Sequence, residues 1–223
     1  MPRLIEYSEA RLQIREMDLL LFRKRGPVAR AGRGVHSHAA RAAWWHEDLF
    51  CIEVLPWHGG RAVTLSSQVE RDPGCYDVYE VNPHNAWPRY NRVLAARFMR
   101  RLAGRHYGYL GLLLTSLTHM PIVRWFYRPS ADDGLQVNRP PFCSHACALA
   151  DHLAGGVDPV PQLADSQVEP ADLARSPFYR YRFTLIPDGW QPPPWWRVWM
   201  RRALRWLTIT CLLTWLWYLL CIL

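Results

Sequence analysis

Several absences narrow what this chain can do. It has no glycine-rich phosphate loop and no compact basic-aromatic repeat, so the formal net charge of +8, carried mostly by arginine, does not read as a nucleic-acid footprint. Its six cysteines, Cys51, Cys75, Cys143, Cys147, Cys211 and Cys221, show no paired metal spacing. Cys143 and Cys147 stack on one helical face, yet no second pair with histidines completes a zinc site. We therefore expect no metal and no cofactor, and we expect reduced thiols in a chain that stays in, or faces, the cytoplasm. Met1 to Glu16 is charged and has no apolar core, so no signal peptide is read. No internal repeat is present. Finally, no charge occurs from Trp206 to Leu223.

That last absence sets the expected organisation. At ~1.5 Å per residue the tail would reach about 27 Å, close to a ~30 Å hydrocarbon core if Ala203 is included and Arg205 snorkels. Arg197, Arg201, Arg202 and Arg205 precede it and no basic residue follows, which is the positive-inside pattern. The expectation is a single-pass anchor in the lipid bilayer with the rest of the chain on the cytoplasmic side. The 223 residues then divide into a domain over 1–186, a proline-rich linker over 187–194, and a basic tryptophan segment plus transmembrane helix over 195–223.

Within the domain the fold class reads as α+β, an antiparallel sheet packed against helices. Asp18 to Lys24, Ser37 to Trp45, Asp48 to Leu55, Arg61 to Leu65, Tyr76 to Val81 and Tyr179 to Ile186 alternate or run apolar as strands do. Glu9 to Glu16, with Ser8 as its cap, Tyr90 to Ala103, Tyr107 to Met120 and a run from Cys143 to Gly155-Gly156 read as helices, with one further turn at Pro170 to Ala174.

Pro140-Pro141 forces an extended approach, and Cys143 follows at the start of a helix, where free N–H groups and the dipole favour thiolate over thiol. Such a cysteine is either a nucleophile or an ordinary buried packing residue. A nucleophile needs a base and a group to orient it. His36, His38, His46 and His58 lie around the early strands, and His38 lies within one. Glu53 sits on the next strand, about 4.8 Å away if the two pair. Each alone also has a plainer reading: a core histidine and a solvated edge glutamate.

The sequence resembles the circularly permuted branch of the papain-like NlpC/P60 superfamily, the YiiX/YebB-like cysteine hydrolases, over about Glu16 to Leu185. Met17-Asp18-Leu19-Leu20-Leu21-Phe22 is similar to the family's opening strand. Val35-His36-Ser37-His38 is similar to its Ser-His strand, and Cys51-Ile52-Glu53 to its acidic strand. Gly104-Arg105-His106-Tyr107-Gly108-Tyr109 is similar to its Gly-x-x-Tyr segment, and Phe142-Cys143-Ser144 to its nucleophile helix. Pro170 to Ser176 is similar to the segment before its last strand. The resemblance implies Cys143 as nucleophile, His38 as base, Glu53 as orienter and Tyr107 as a site-wall or oxyanion residue. It implies an amidase, peptidase or acyl hydrolase acting on a peptide, lipid or lipoprotein through a thioester. His145 stands where the family commonly has glutamate, and Arg41 where it has a small or β-branched residue; both are expected either to alter the substrate or to mark a repurposed site. The alternative is an inactive papain-like scaffold anchored to the membrane.

Overall fold

The computed structural model describes residues 2–24, 26, 29–30, 34–106, 108, 140–192, 194, 200, 203, 207–212, 214–215 and 217. The chain divides into two compact units, Met1–Asp188 and Gly189–Leu223. The first holds a seven-stranded sheet. Its strands are β1 (Leu4–Glu6), β2 (Leu19–Arg23), β3 (His36–Trp45), β4 (Asp48–Leu55), β5 (Gly59–Thr64), β6 (Tyr76–Val81) and β7 (Tyr179–Ile186). Their order is β1-β7-β6-β2-β3-β4-β5. The sheet is not wholly antiparallel: β1 pairs parallel to β7, and every other neighbour pair is antiparallel.

Period-two alternation gives the sheet two apolar faces. Leu20, Ala40, Ala42, Cys51 and Val78 pack on one side with residues of α1 (Tyr7–Arg11) and α2 (Leu65–Arg71). Leu19, Leu21, Ala39, Ala43, Ile52, Val54 and Val81 meet the other side. There lie α3 (Arg92–Leu102), α4 (Cys143–Leu149, continued by a π turn over Ala150–Ala154) and α5 (Pro170–Arg175). β3 is alanine-rich, a composition that by intrinsic propensity favours helix. It is a strand because tertiary packing decides: Ala39, Ala40, Ala42 and Ala43 are all buried, and their small side chains let helices approach both faces.

α3 starts at Asn91, whose Oδ1 accepts from the Leu94 N–H at 3.0 Å. The helix expected at Tyr107 to Met120 lies outside the described residues apart from Gly108. The helix expected at Glu9 to Glu16 runs instead over Tyr7–Arg11, after Glu6. Ser8 does not cap it; its N–H donates to Asp188 Oδ1 at 2.9 Å.

The tail corrects the sequence reading. Among the described residues no helix is long and apolar enough to cross a membrane. The longest described run is helical over 207–212, about 9 Å against a ~30 Å core. Lack of charge is not enough; a span also needs a continuous helix of sufficient length. Thr210 and Thr214 turn their hydroxyls back onto the carbonyls of Leu207 and Thr210 at 2.9 and 3.0 Å. Trp206, Leu213, Leu216 and residues 218–223 lie outside the described set. The transmembrane anchor, the lipid bilayer as partner and the single-pass location with a cytoplasm-facing domain are overturned on this finding.

Candidate active site

α4 begins where the sequence forces it to. Pro140 and Pro141 hold the approach extended, Phe142 keeps extended dihedrals as N-cap, and Cys143 is the first helical residue. The helix is fixed from below. Ser144 Oγ donates to Val168 O at 2.6 Å, and the Arg41 guanidinium donates to Cys147 O at 3.0 Å. Cys143 is buried, at 7% exposed.

His38 lies near the start of β3, beyond the point where the ladder with β4 begins at Ala40↔Glu53. Glu53 is therefore its diagonal neighbour, and the residue directly opposite Glu53 is only an alanine, which leaves room for the carboxylate to lean across. His38 Nε2 and Glu53 Oε2 are 2.8 Å apart. The imidazole also lies close enough to the Cys143 side chain for the two to interact, and with Nε2 on Glu53 its remaining ring nitrogen is Nδ1. Three side chains from two neighbouring strands and one helix start thus form one row: Cys143, His38, Glu53. Tyr107 lies outside the described residues. The segment that carries it is held on both flanks, by Gly104 N–H to Gly60 O at 2.7 Å and by Gly108 N–H to Pro141 O at 3.2 Å.

The electrostatics follow from this contact. Burial penalises the imidazolium, but the charge and hydrogen bond of Cys143, followed by those of Glu53, outweigh it and raise His38 to about 10. Burial likewise opposes the Cys143 thiolate. The His38 cation and hydrogen bonds from the backbone of Ala39 and Ser144 reverse that and lower the thiol. Glu53 is lowered too: burial opposes its charge, while His38 and Arg61 stabilise it. All three shifts favour the charged form of each member: the thiolate, the imidazolium and the carboxylate.

The other cysteines differ. Burial pushes Cys51 well up, raises Cys75, and pushes Cys147 up to about 12. Of the other early histidines, His36 bonds the buried Asp77 at 2.7 Å, His46 takes a left-handed turn conformation, and His58 Nδ1 lies 3.2 Å from Pro56 O.

Arg41 and His145 both lie in the interior. Arg41 is fully buried. It ion-pairs with Asp151 and donates to Tyr179 Oη at 2.8 Å and Met17 O at 3.1 Å; Tyr90 Oη completes the cluster on Asp151 Oδ1 at 2.8 Å. His145 is buried against Phe142, and burial lowers its pKa to about 4. The sequence reading missed Arg61, whose Nε and Nη2 reach Glu53 Oε1 at 2.9 and 2.7 Å. Its signal was there: a hairpin turning at Trp57-His58 sets residue 61 opposite residue 53.

Among the described residues one group brings metal-type ligand atoms together. His152, Asp158 and Asp165 place theirs within 4.8 Å of one another, with His152 Nδ1 and Asp165 Oδ2 at 2.9 Å.

No protein-family model matches the chain, and no curated protein matches it. The fold has a solved counterpart in the crystal structure of metalloprotein YiiX from Escherichia coli O157:H7 (DUF1105). The TM-score is 0.54 at 14% identity, over 78% of this chain and 99% of that one. The domain is thus YiiX-like in fold.

Proposed function

We propose that this protein is a cysteine hydrolase built on a permuted papain-like plan, working through Cys143, His38 and Glu53. The interaction between His38 and Cys143, on an imidazole held by Glu53 at 2.8 Å, with the imidazole raised to about 10 and the thiol lowered, carries this reading. Both shifts favour the thiolate–imidazolium form from which such chemistry starts.

The Cys143 thiolate attacks an acyl carbonyl, and the electron pair of the C=O moves onto oxygen. The backbone N–H of Cys143 has no intrahelical acceptor and is the first oxyanion donor; Tyr107 is the candidate for a second contact. His38 gives its proton to the departing amine or alcohol, leaving a thioester on Cys143. It then takes a proton from water as hydroxide adds to the thioester, and the thiolate leaves. Glu53 keeps the imidazole in one tautomer and supports its cation throughout. The substrate class is a peptide or lipid acyl compound, amide or ester. Glu53, His38 and Cys143 act as one unit, so loss of Cys143 or of His38 alone is expected to cost about as much as loss of all three, and loss of Glu53 alone less.

The E. coli neighbour is described as a metalloprotein. One imidazole and two carboxylates suit a divalent cation, so a metal in this chain would be held by His152, Asp158 and Asp165. There it would clip the end of the Cys143 helix to the loops at 158 and 165; no step above passes through it.

The test is covalent labelling of folded protein with an acyl-type cysteine probe, beside Cys143→Ala. Labelling that maps to Cys143 and vanishes in the variant supports the proposal, and a panel of lipid esters and cell-wall peptides then sorts the substrate. Labelling that survives the substitution refutes it.

A further inference from the structure

We infer that Arg61 is a positioning residue of this site, holding Glu53 so that its second oxygen is presented to His38. The inference rests on the hydrolase reading above and extends it beyond the three-residue row. Glu53 is 2% exposed, and its two oxygens are divided between two partners. Oε1 takes both Nε and Nη2 of Arg61 at 2.9 and 2.7 Å. Oε2 takes His38 Nε2 at 2.8 Å. A carboxylate gripped by two nitrogens of a planar guanidinium cannot rotate freely, so the oxygen facing His38 is fixed by the one facing Arg61.

Arg61 is itself placed by backbone. It lies opposite Glu53 in the β4–β5 ladder, and the residue before it, Gly60, is clamped to the end of α3. The Gly60 N–H donates to Arg105 O and the Gly104 N–H to Gly60 O, both at 2.7 Å. A Cβ at Gly60 would lie 1.8 Å from Leu102 O, so only glycine permits this approach. The guanidinium thus starts from a rigid base although β5 is an edge strand.

The charge acts in the same direction as the geometry. Arg61 helps hold Glu53 ionised. Remove it and Glu53 takes up its proton at a higher pH. Once Glu53 is neutral, the His38 cation loses support and so does the Cys143 thiolate.

The experiment is the pH profile of Cys143 alkylation by iodoacetamide, read by peptide mass spectrometry on the full chain, which needs no substrate. Arg61 is 26% exposed and on an edge, so Arg61→Gln leaves the core filled; Arg61→Met is the second neutral variant. The expected result is an acid limb moved to higher pH in both, with a rate at mildly acidic pH lower by roughly 10- to 100-fold, as when a partner that orients a histidine is lost. Arg61→Lys should recover part of it. In Glu53→Gln, adding Arg61→Gln should change little, because Arg61 acts through that carboxylate. A folded Arg61→Gln or Arg61→Met with the wild-type profile, or a full additional effect on top of Glu53→Gln, overturns the inference. A wild-type Cys143 that alkylates like an ordinary thiol overturns the hydrolase reading itself, and is seen before any variant is made.

Discussion

At the scale of single residues, identical side chains in this protein differ because their neighbours differ. Cys143 and Cys147 lie one helical turn apart and both are buried, yet one thiol is lowered and the other pushed up to about 12. An imidazole on one and not the other separates them. Iodoacetamide at neutral pH is therefore expected to modify Cys143 well before Cys51, Cys75 or Cys147. Its rate should hold a plateau across neutral pH rather than rise near the ordinary thiol value of 9.0. Peptide mapping over a pH series checks both points. Replacing Cys143 by alanine should abolish hydrolysis while changing stability by only about 1 kcal/mol, since little packing is lost; a chemical melt measures it. Glu53 adds a pH signature. Its folded pKa lies below the ordinary 4.5, so its ionisation stabilises the fold above that value. The contribution is lost as pH falls through the ordinary value and on through the lowered one. The melting-temperature gap between wild type and Glu53→Gln should be widest near neutral and close on acidification. A gap that widens in acid would show that Glu53 is held neutral instead.

At the scale of elements, the buried Arg41–Asp151 pair joins β3, the π turn after α4 and, through Tyr179, β7. Removing one partner leaves the other charged and dry. Asp151→Asn is expected to cost about 3–5 kcal/mol in urea unfolding, and the double change Arg41→Met with Asp151→Leu distinctly less. This pair also marks where sequence reasoning stops. An arginine in an apolar strand is visible as an oddity, and it invites a functional role. Its partner is 110 residues away, and no local pattern reports that. Where information is local, the reading holds: β4, β6 and β7 fall at their expected bounds because alternation is a property of adjacent residues. Where pairing is distant, it fails. β1 is three residues long, too short to show a period, and exists because β7 lies beside it. α2 was legible and overlooked: Leu65 and Val69 recur at helical spacing and both are buried. The site divides the same way. Cys143 is announced by two prolines, and His38 and Glu53 by strand position, whereas their meeting depends on how far β3 outruns β4.

At the scale of the whole molecule, the residues proposed for the site, Cys143, His38, Glu53 and Arg61, lie in Met1–Asp188. All three apolar clusters of the core fall between Ile5 and Leu185. The boundary is closed within that unit, since the Ser8 N–H donates to Asp188 Oδ1. Described side chains of Gly189–Leu223, among them Leu207, Leu212, Trp215 and Trp217, are exposed, and none belongs to the core clusters. A chain ending at Asp188 is therefore expected to keep its fold. It should unfold in one cooperative transition, with far-ultraviolet circular dichroism and tryptophan fluorescence giving coincident midpoints. Cys143 should keep its plateau of alkylation across neutral pH, because Cys143, His38, Glu53 and Arg61 and their recorded partners all precede the cut. Loss of apolar surface should also leave the shortened chain less prone to self-association, which light scattering at matched concentration measures. A truncated chain that melts without cooperativity, or whose Cys143 reverts to an ordinary thiol profile, would place part of the folding unit beyond Asp188.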